Sequence, residues 1–537
     1  MTTLPEKEVA ATLAHDEHHA DYQDEALVAA AMRGKAAEES MTLGQAFRWY
    51  KSALFCSFIV SMNIVMESYA TILLNSFYAY PTFSKRFGEK LPNGTYSVPA
   101  RWQTALSVAS VAGIVVGIYI NGFVVDRFGH RKVIMVSLVL LTGLFTLSFD
   151  AKNAGMLLAG QLLCGIPFGC LNVIAPAYAV EVLPLALRHY GPTYVNMCWV
   201  IGHIMGAGVL TGLQSNTSEW GWKIPLALQW IFPLWLFIGA YFAPESPWWL
   251  VRRGRNEDAV KSLARLSTKD VNHEDACALI QHTVNLEKNL DFGTSYGDCF
   301  KGVDRRRTEI AIVAWCAQAL VGFVVQGYQT YLFKQAGMAT ADAFKLTLGT
   351  YGVAGFGTLL AMPLQQRFKR YTIWMSGLFW MLPTMLCVGI LACVKQTPAI
   401  QWAQGSVLIL WFFGYGWSVG PVAFVIAAET PSAQIRQKTI GIARGLQYII
   451  TIINTIVSPY ILNPTEANLK GKAAFIPSFF IVLVIIWSYF RLPETSGKTF
   501  EDLDILFSKG VKARDFRDYV IDTEEQFGEV GVHKDTE

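Results

Sequence analysis

Charge is what this chain has least of: 16% of its 537 residues are Asp, Glu, Lys or Arg, against about 25% in soluble globular proteins. Most of the chain therefore has no charged surface with which to face water. Cysteine is scarce too, with nine residues and no C-x-x-C pair, and Cys56, Cys164, Cys170, Cys198, Cys316, Cys387 and Cys393 lie in or beside apolar runs. That pattern excludes a disulfide-stapled domain and leaves small buried hydrophobes. A net charge of +3 is near balance for this length and excludes the basic surface that nucleic acid demands. The chain shows no nucleophile with its base, no phosphate loop and no cluster of metal-ligating types, so no enzyme, metal or cofactor is expected. Residues 1–50 are polar and acidic, carry His15, His18 and His19, and lack the apolar run and small-residue cleavage site of a secretory signal.

What the chain has is apolar length. Hydrophobic residues make up 53% of it and aromatics 13%, and a helix of about 20 apolar residues crosses a bilayer. Twelve such stretches fall near 54–78, 102–123, 132–150, 155–180, 192–213, 225–243, 309–333, 345–366, 372–394, 404–427, 440–462 and 473–491. The fold expected is an all-α membrane protein of twelve transmembrane helices in two six-helix halves. Residues 1–50 form an N-terminal tail, 51–243 the first half, 244–308 a linker with short helices, 309–491 the second half and 492–537 a C-terminal tail. The linker holds eleven Lys and Arg, ending in Arg305, Arg306 and Arg307, and loops facing the same side share that bias. The positive-inside rule then places the linker and both tails in the cytoplasm. The sequons at Asn93 and Asn216 fall in loops on the opposite, glycosylation-competent side.

An ionisable group at the bilayer centre costs at least about 2.5–3.5 kcal/mol, so such groups point to function. The first stretch carries Asn63, Glu67, Thr71 and Asn75 at four-residue steps, one face of a helix. The fifth places Asn196 and His203 two turns apart. The seventh aligns Gln318, Gly322, Gln326 and Gln329, with Tyr328 and Tyr331 beside them, and the eleventh aligns Arg444, Gln447, Thr451, Asn454 and Ser458. Any one of these is as readily glue between helices, worth about 0.6 kcal/mol. Four stripes from both halves can instead converge on one wet cavity. Amides offer donors and acceptors to hydroxyls while aromatic faces cover a sugar ring, so the ligand expected is a neutral polyol.

The loop Gly122-Phe-Val-Val-Asp126-Arg127-Phe-Gly129-His130-Arg131 sets acid and base side by side. It resembles the loop signature G-x-x-x-D-R-x-G-R-R of the major facilitator superfamily, from which only His130 departs. Four further runs resemble the sugar porter family: Pro176-Ala-Tyr178-Ala-Val-Glu181 with Arg188, Pro244-Glu245-Ser-Pro-Trp-Trp-Leu250, Gly420-Pro421 to Glu429-Thr-Pro431 with Arg436, and Pro493-Glu494-Thr-Ser-Gly497. The resemblance implies the major facilitator fold, a plasma-membrane location and alternating access to a midplane cavity. It also implies a gating network in which Glu181, Glu245, Glu429 and Glu494 meet Arg127, Arg131, Arg188 and Arg436 and lock the two halves. The second-half counterpart of the Asp126-Arg127 loop shows only Arg367-Phe-Lys369-Arg370.

Glu67-Ser-Tyr69, Thr193 to Trp199 and Lys438 to Arg444 narrow the resemblance to fungal maltose and α-glucoside permeases. That branch implies proton-coupled disaccharide symport, with Asn196, the Gln318 stripe and Phe424 touching sugar and Glu67 with Arg444 coupling the proton. His203 stands where the family usually has Gln, and a titrating imidazole there predicts a pH response. Two of the branch's acids are missing, replaced by Ala70 and Ile114. Three readings stay open: a symporter working through Glu67, an uncoupled facilitator of the same sugars, and a transceptor whose tails recruit signalling or trafficking proteins.

Overall fold

The computed structural model describes residues 26–38, 40–90, 94–188, 190–291, 295–335, 337–432, 435–496, 500–517 and 519. Helix dominates them, because in hydrocarbon a backbone must satisfy its own hydrogen bonds. In chain order the long helices are α1 (Lys51–Phe77), α2 (Ala100–Phe128), α3 (His130–Phe149), α4 (Ala154–Val182), α5 (Tyr190–Leu213) and α6 (Trp220–Phe242). They continue as α7 (Asp304–Leu320, then Val325–Gln335), α8 (Thr340–Arg367), α9 (Arg370–Leu391), α10 (Pro398–Trp417, then Val419–Glu429), α11 (Arg436–Leu462) and α12 (Phe475–Arg491).

Among the described residues, eleven helices are long and apolar enough to cross a membrane, and α8 is not one of them. Its 28 residues have the length. Thr347, Thr350 and Thr358, all buried, and four glycines between 349 and 357 lower its hydropathy. It packs against α5 and α10, with Gly355 beside Val200 and Gly357 beside the Phe413 carbonyl.

Close approach of backbones sets the tightest crossing. A Cβ on Gly117 would lie 2.0 Å from the Ile166 carbonyl oxygen, and one on Gly169 would lie 2.1 Å from that of Ile114. Gly113 and Gly165 face each other likewise one turn away, so α2 and α4 meet along paired G-x-x-x-G faces, as membrane helices do when dispersion rather than water drives packing. Glycines 202 and 206 do the same for α5 against α1.

Two helices are broken. The first piece of α7 ends in a turn at residues 321–324, where Val324 adopts φ +68°, and the Val324 N–H is taken up by Asn454 Oδ1 at 2.8 Å. The break in α10 falls at Ser418, whose hydroxyl donates to the Gly414 carbonyl at 2.5 Å.

Segments outside the long helices are ordered by contacts of their own. Loop 79–99 contains the helix Pro81–Phe87 and a two-stranded antiparallel sheet pairing Glu89 with Ser97 and Lys90 with Tyr96. Helices Pro247–Arg252, Asn256–Leu266 and His273–Asp291 share a small core of Leu250, Val251, Leu263 and Ile280. A helix over 26–38 joins them through Arg33 and Asp275 at 2.9 Å. Arg306 lies between the rings of Phe507 and Phe516 and donates to the Val511 carbonyl, which docks the helix Phe500–Ser508 and the turn after it against the start of α7.

Candidate functional site

α1 brings Glu67 into the interior at 1% exposure. Its Oε1 accepts from Asn172 Nδ2 of α4 at 2.9 Å, and its Oε2 has no partner. Arg444 and Tyr448 of α11 lie within Coulombic reach of it, yet among the described residues no ion pair joins Glu67 to Arg444, contrary to the expected pairing. The reason is geometric: the Arg444 guanidinium lies 4.3 Å from the Trp315 ring centre, between Phe424 and Tyr448, and donates to Gln447 Oε1 at 2.8 Å. Flat stacking on aromatics suits a guanidinium and holds it away from the carboxylate.

From Arg444 a hydrogen-bond chain runs inward. Gln447 Nε2 donates to Gln318 Oε1 at 3.1 Å, and Gln318 Nε2 donates to the Gly420 carbonyl at 2.6 Å, close to the break in α10. Gln318 therefore ties α7, α10 and α11 together. Phe424 packs edge-on against Trp315 at 4.5 Å. Gln326 is half-buried. Gln329 is 1% exposed with both amide atoms unpartnered, and Trp411 Nε1 is buried unpartnered as well. Such orphaned polar atoms are rare in folded proteins and mark places where a polar ligand or water completes the bonding.

On α5, Asn196 and His203 are half-buried. His203 Nδ1 is 2.7 Å from the Trp199 carbonyl and 2.6 Å from Ser68 Oγ of α1, and its ring packs on Tyr351 of α8 at 4.6 Å. A carbonyl only accepts, so Nδ1 carries a hydrogen. Ser68 and His203, both departures from the family pattern, are in contact with each other.

Three residues expected to touch sugar are hydrogen-bonded within the protein in this structure. Asn454 caps the break in α7 and receives Ser458 Oγ at 2.7 Å. Tyr328 donates to Ser107 Oγ of α2 at 3.2 Å and stacks on Tyr78, and the Tyr331 hydroxyl accepts from Gln103 Nε2 at 3.4 Å. With Lys334 Nζ on the Ala79 carbonyl at 2.8 Å and Asn463 Nδ2 on the Val98 carbonyl at 3.1 Å, these tyrosines seal one end between α1–α2 and α7–α11. The opposite end is built from separate contacts within each half.

That opposite end carries the charge motifs, which pair differently from expectation. Glu181 meets Arg252 at 3.3 Å and receives the Ser246 hydroxyl. Glu245 accepts the backbone N–H groups of His130 at 2.9 Å and Arg131 at 3.2 Å, filling the space beside Gly129 (φ +87°) where a Cβ would sit. In the second half Glu429 meets Arg370 at 2.8 Å and Thr495 Oγ1 at 2.7 Å, while Glu494 accepts the N–H groups of Arg370 and Tyr371, both at 3.1 Å. Carboxylates at helix N-termini are held by the orphan N–H groups and the helix dipole. The expected partners do something else: Arg131 donates to the Tyr241 carbonyl, Arg127 lies over Phe128, and Asp126 accepts through its carbonyl from Arg253 at 2.9 Å. Each of these contacts joins segments of one half. The Arg188 and Arg436 side chains, and Asn93, lie outside the described residues. Asn216 Oδ1 accepts from the Ser218 N–H at 3.0 Å, between α5 and α6.

Sequence reasoning passed over Asn172, Trp315, Trp411 and Lys334. Asn172 was open to discovery as an isolated amide deep in an apolar run; the tryptophans carry no periodic signal.

Known proteins place these features in one family. The family model for sugar (and other) transporters matches residues 56–507. The chain is 39% identical over 493 residues to a general alpha-glucoside permease of Saccharomyces cerevisiae, covering 90% of this chain and 80% of that one. It is 35% identical over 517 residues to a maltose permease of the same yeast, covering 95% and 84%. Among solved structures it resembles the E. coli xylose transporter in an inward open conformation, with a TM-score of 0.69, 20% identity and coverage of 84% and 99%. It also resembles the proton:xylose symporter bound to 6-bromo-6-deoxy-D-glucose, at a TM-score of 0.68, 21% identity and coverage of 85% and 99%. The chain belongs to the sugar (and other) transporter family, shares the fold of a major facilitator sugar symporter, and is a multi-pass integral membrane transporter.

Proposed function

We propose that this protein carries a disaccharide of the maltose and α-glucoside class across the plasma membrane by alternating access. The observation that carries the reading is 39% identity over 493 residues to an alpha-glucoside permease. The buried amides and indoles of α7, α10 and α11, several of them unpartnered, offer the bonding that sugar hydroxyls need. Twelve spans make up the transporter, with α8 as the polar one, both termini cytoplasmic, residues 51–243 and 309–491 as the moving halves and 244–308 as the linker. In that orientation the sealed end at Tyr78, Ser107 and Tyr328 is external and the charge-motif end is cytoplasmic, so the state described is closed to the outside. Asn196, His203, Gln318, Gln326, Gln329 and Phe424 line the sugar's path. Tyr328 and Tyr331 close over it.

Glu67 is the proton site of this reading. Asn172 holds one carboxyl oxygen and the other is unpartnered, so a proton added at Oε2 displaces no protein bond. The uncoupled reading rests on Ala70 of α1 and Ile114 of α2, which leave Glu67 without the branch's other two acids. Uptake of labelled maltose, cellobiose and lactose into yeast cells lacking their own disaccharide permeases, followed with an external pH electrode, separates these readings. Uptake with alkalinisation supports the symporter and uptake without it the facilitator. Saturable binding without uptake would refute transport and favour a sensor.

A further inference from the structure

The two charge clusters at the motif end are copies of one design. Glu245 and Glu494 each cap the helix that opens just past the loop, α3 and α9, through two consecutive N–H groups. Glu181 and Glu429, at the ends of α4 and α10, each receive a hydroxyl from the segment after the sixth helix of their half, Ser246 and Thr495. In the second cluster the first residue of the capped helix is Arg370, whose guanidinium reaches Glu429 at 2.8 Å and Ser496 Oγ at 2.7 Å. The corresponding residue of the first cluster is His130.

His130 is 5% exposed. Its Nε2 lies 3.8 Å from Glu181 Oε2 and its Nδ1 3.5 Å from Glu245 Oε1, with no hydrogen-bond partner on Nδ1. The groups facing it from other elements are Glu181 and the Tyr178 ring of α4, and Glu245 with Ser246 after α6. Arg252 sits behind Glu181, Arg131 of its own helix turns away to the Tyr241 carbonyl, and Arg265 is taken up by the Phe242 carbonyl. Among the described residues, no lysine or arginine thus stands between the ring and the two carboxylates.

We propose that His130 makes the first cluster a proton-sensitive clamp, while Arg370 makes the second a constant one. A neutral imidazole has one N–H and no charge, so it serves at most one of the two carboxylates. A protonated one has an N–H on each nitrogen and a charge between them. Arg370 is charged at every physiological pH. Acidification on this side therefore ties the start of α3 to the end of α4 and the exit of α6, and leaves α9, α10 and the exit of α12 as they were. One half of the molecule responds to protons at a place separate from Glu67, and the clamp operates whether or not sugar transport is coupled.

Amide hydrogen exchange on the purified full chain in lipid nanodiscs tests this, because the second cluster serves as the control within each sample. After correction for intrinsic exchange, segments 176–187 and 241–250 should exchange about two- to fivefold more slowly at about pH 5.5 than at about pH 8, the range of a partly exposed ion pair. Segments 424–431 and 490–496 should not differ. His130→Arg should abolish the difference by bringing exchange at about pH 8 down to the slower rate, and His130→Gln by bringing exchange at about pH 5.5 up to the faster one. Arg370→His should transfer the response to the second cluster. An equal response of both clusters in the unmodified chain, or a response that survives His130→Arg, would overturn the proposal, and both readouts stand if Arg370→His does not fold.

Discussion

Replacing Gly117 by Ala is the sharpest test of how this bundle is held together. The added methyl would sit 2.0 Å from the Ile166 carbonyl oxygen and 3.0 Å from Gly169 Cα, both backbone atoms that cannot rotate away. A comfortable contact needs about 3.5 Å, so α2 and α4 must part by about 1.5 Å at that point. The partner contacts at Gly113, Gly165 and Gly169, and the Cys170 Sγ bond to the Gly117 carbonyl at 3.3 Å, loosen with them. Forced overpacking of this kind costs about 1–3 kcal/mol. Gly122 of the same helix has nothing within 4 Å of its would-be Cβ, and Gly→Ala at an unstrained helical site gains about 0.4–1 kcal/mol by restricting the unfolded chain. The two variants should therefore differ by about 1.5–4 kcal/mol, read as the separation of their thermal unfolding midpoints in the same detergent. If Gly117→Ala unfolds at the same temperature as Gly122→Ala, the glycine crossing is not what seats α2 on α4.

Glu67→Gln preserves the acceptor facing Asn172 and removes the titrating group, so sugar binding should hold within about twofold while sugar-linked alkalinisation disappears; alkalinisation that persists removes Glu67 from coupling. Gln318→Ala takes the acceptor from Gln447 Nε2 and the side-chain donor from the Gly420 carbonyl and should weaken sugar binding by about 1–3 kcal/mol, measured by isothermal titration, and unchanged affinity would sink the α7 assignment. Lys334→Met keeps the side-chain volume and deletes the donor to the Ala79 carbonyl, so a cysteine placed at Ser107 should be alkylated faster from outside intact cells. The same labelling rate in both backgrounds would show that Lys334 does not hold the external seal.

Much of the site was legible because insertion into lipid makes polar residues conspicuous. The stripes on α1, α5, α7 and α11 stood out against apolar neighbours at helical spacing, and Glu67, Gln318 and His203 are all turned into the interior. What spacing could not show was the division of labour among them. Asn454 lies on the Arg444 stripe like any ligand candidate, yet α7 breaks beside it and takes its oxygen as a cap. Tyr328 and Tyr331 neighbour the glutamines in sequence, but their hydroxyls meet Ser107 and Gln103 of α2. The charge motifs announced that acids and bases meet at helix ends, while the partners were set by which backbone N–H groups lie nearest. The loop that looked degraded supplies Arg370, the residue that completes the second cluster.

Hydrophobic length and periodicity, properties of the chain alone, determined that this is a helical membrane protein, roughly where each helix runs and which faces are polar, since a backbone in hydrocarbon has no other way to satisfy itself. Motif order determined the family. Only the tertiary structure decided that Arg444 stacks on Trp315 instead of pairing with Glu67, that the tyrosines of α7 seal an end, and that His130 stands between two carboxylates. Those outcomes depend on distances of 3–5 Å between residues a hundred or more positions apart, and such distances are fixed by how whole helices pack rather than by any local run of sequence.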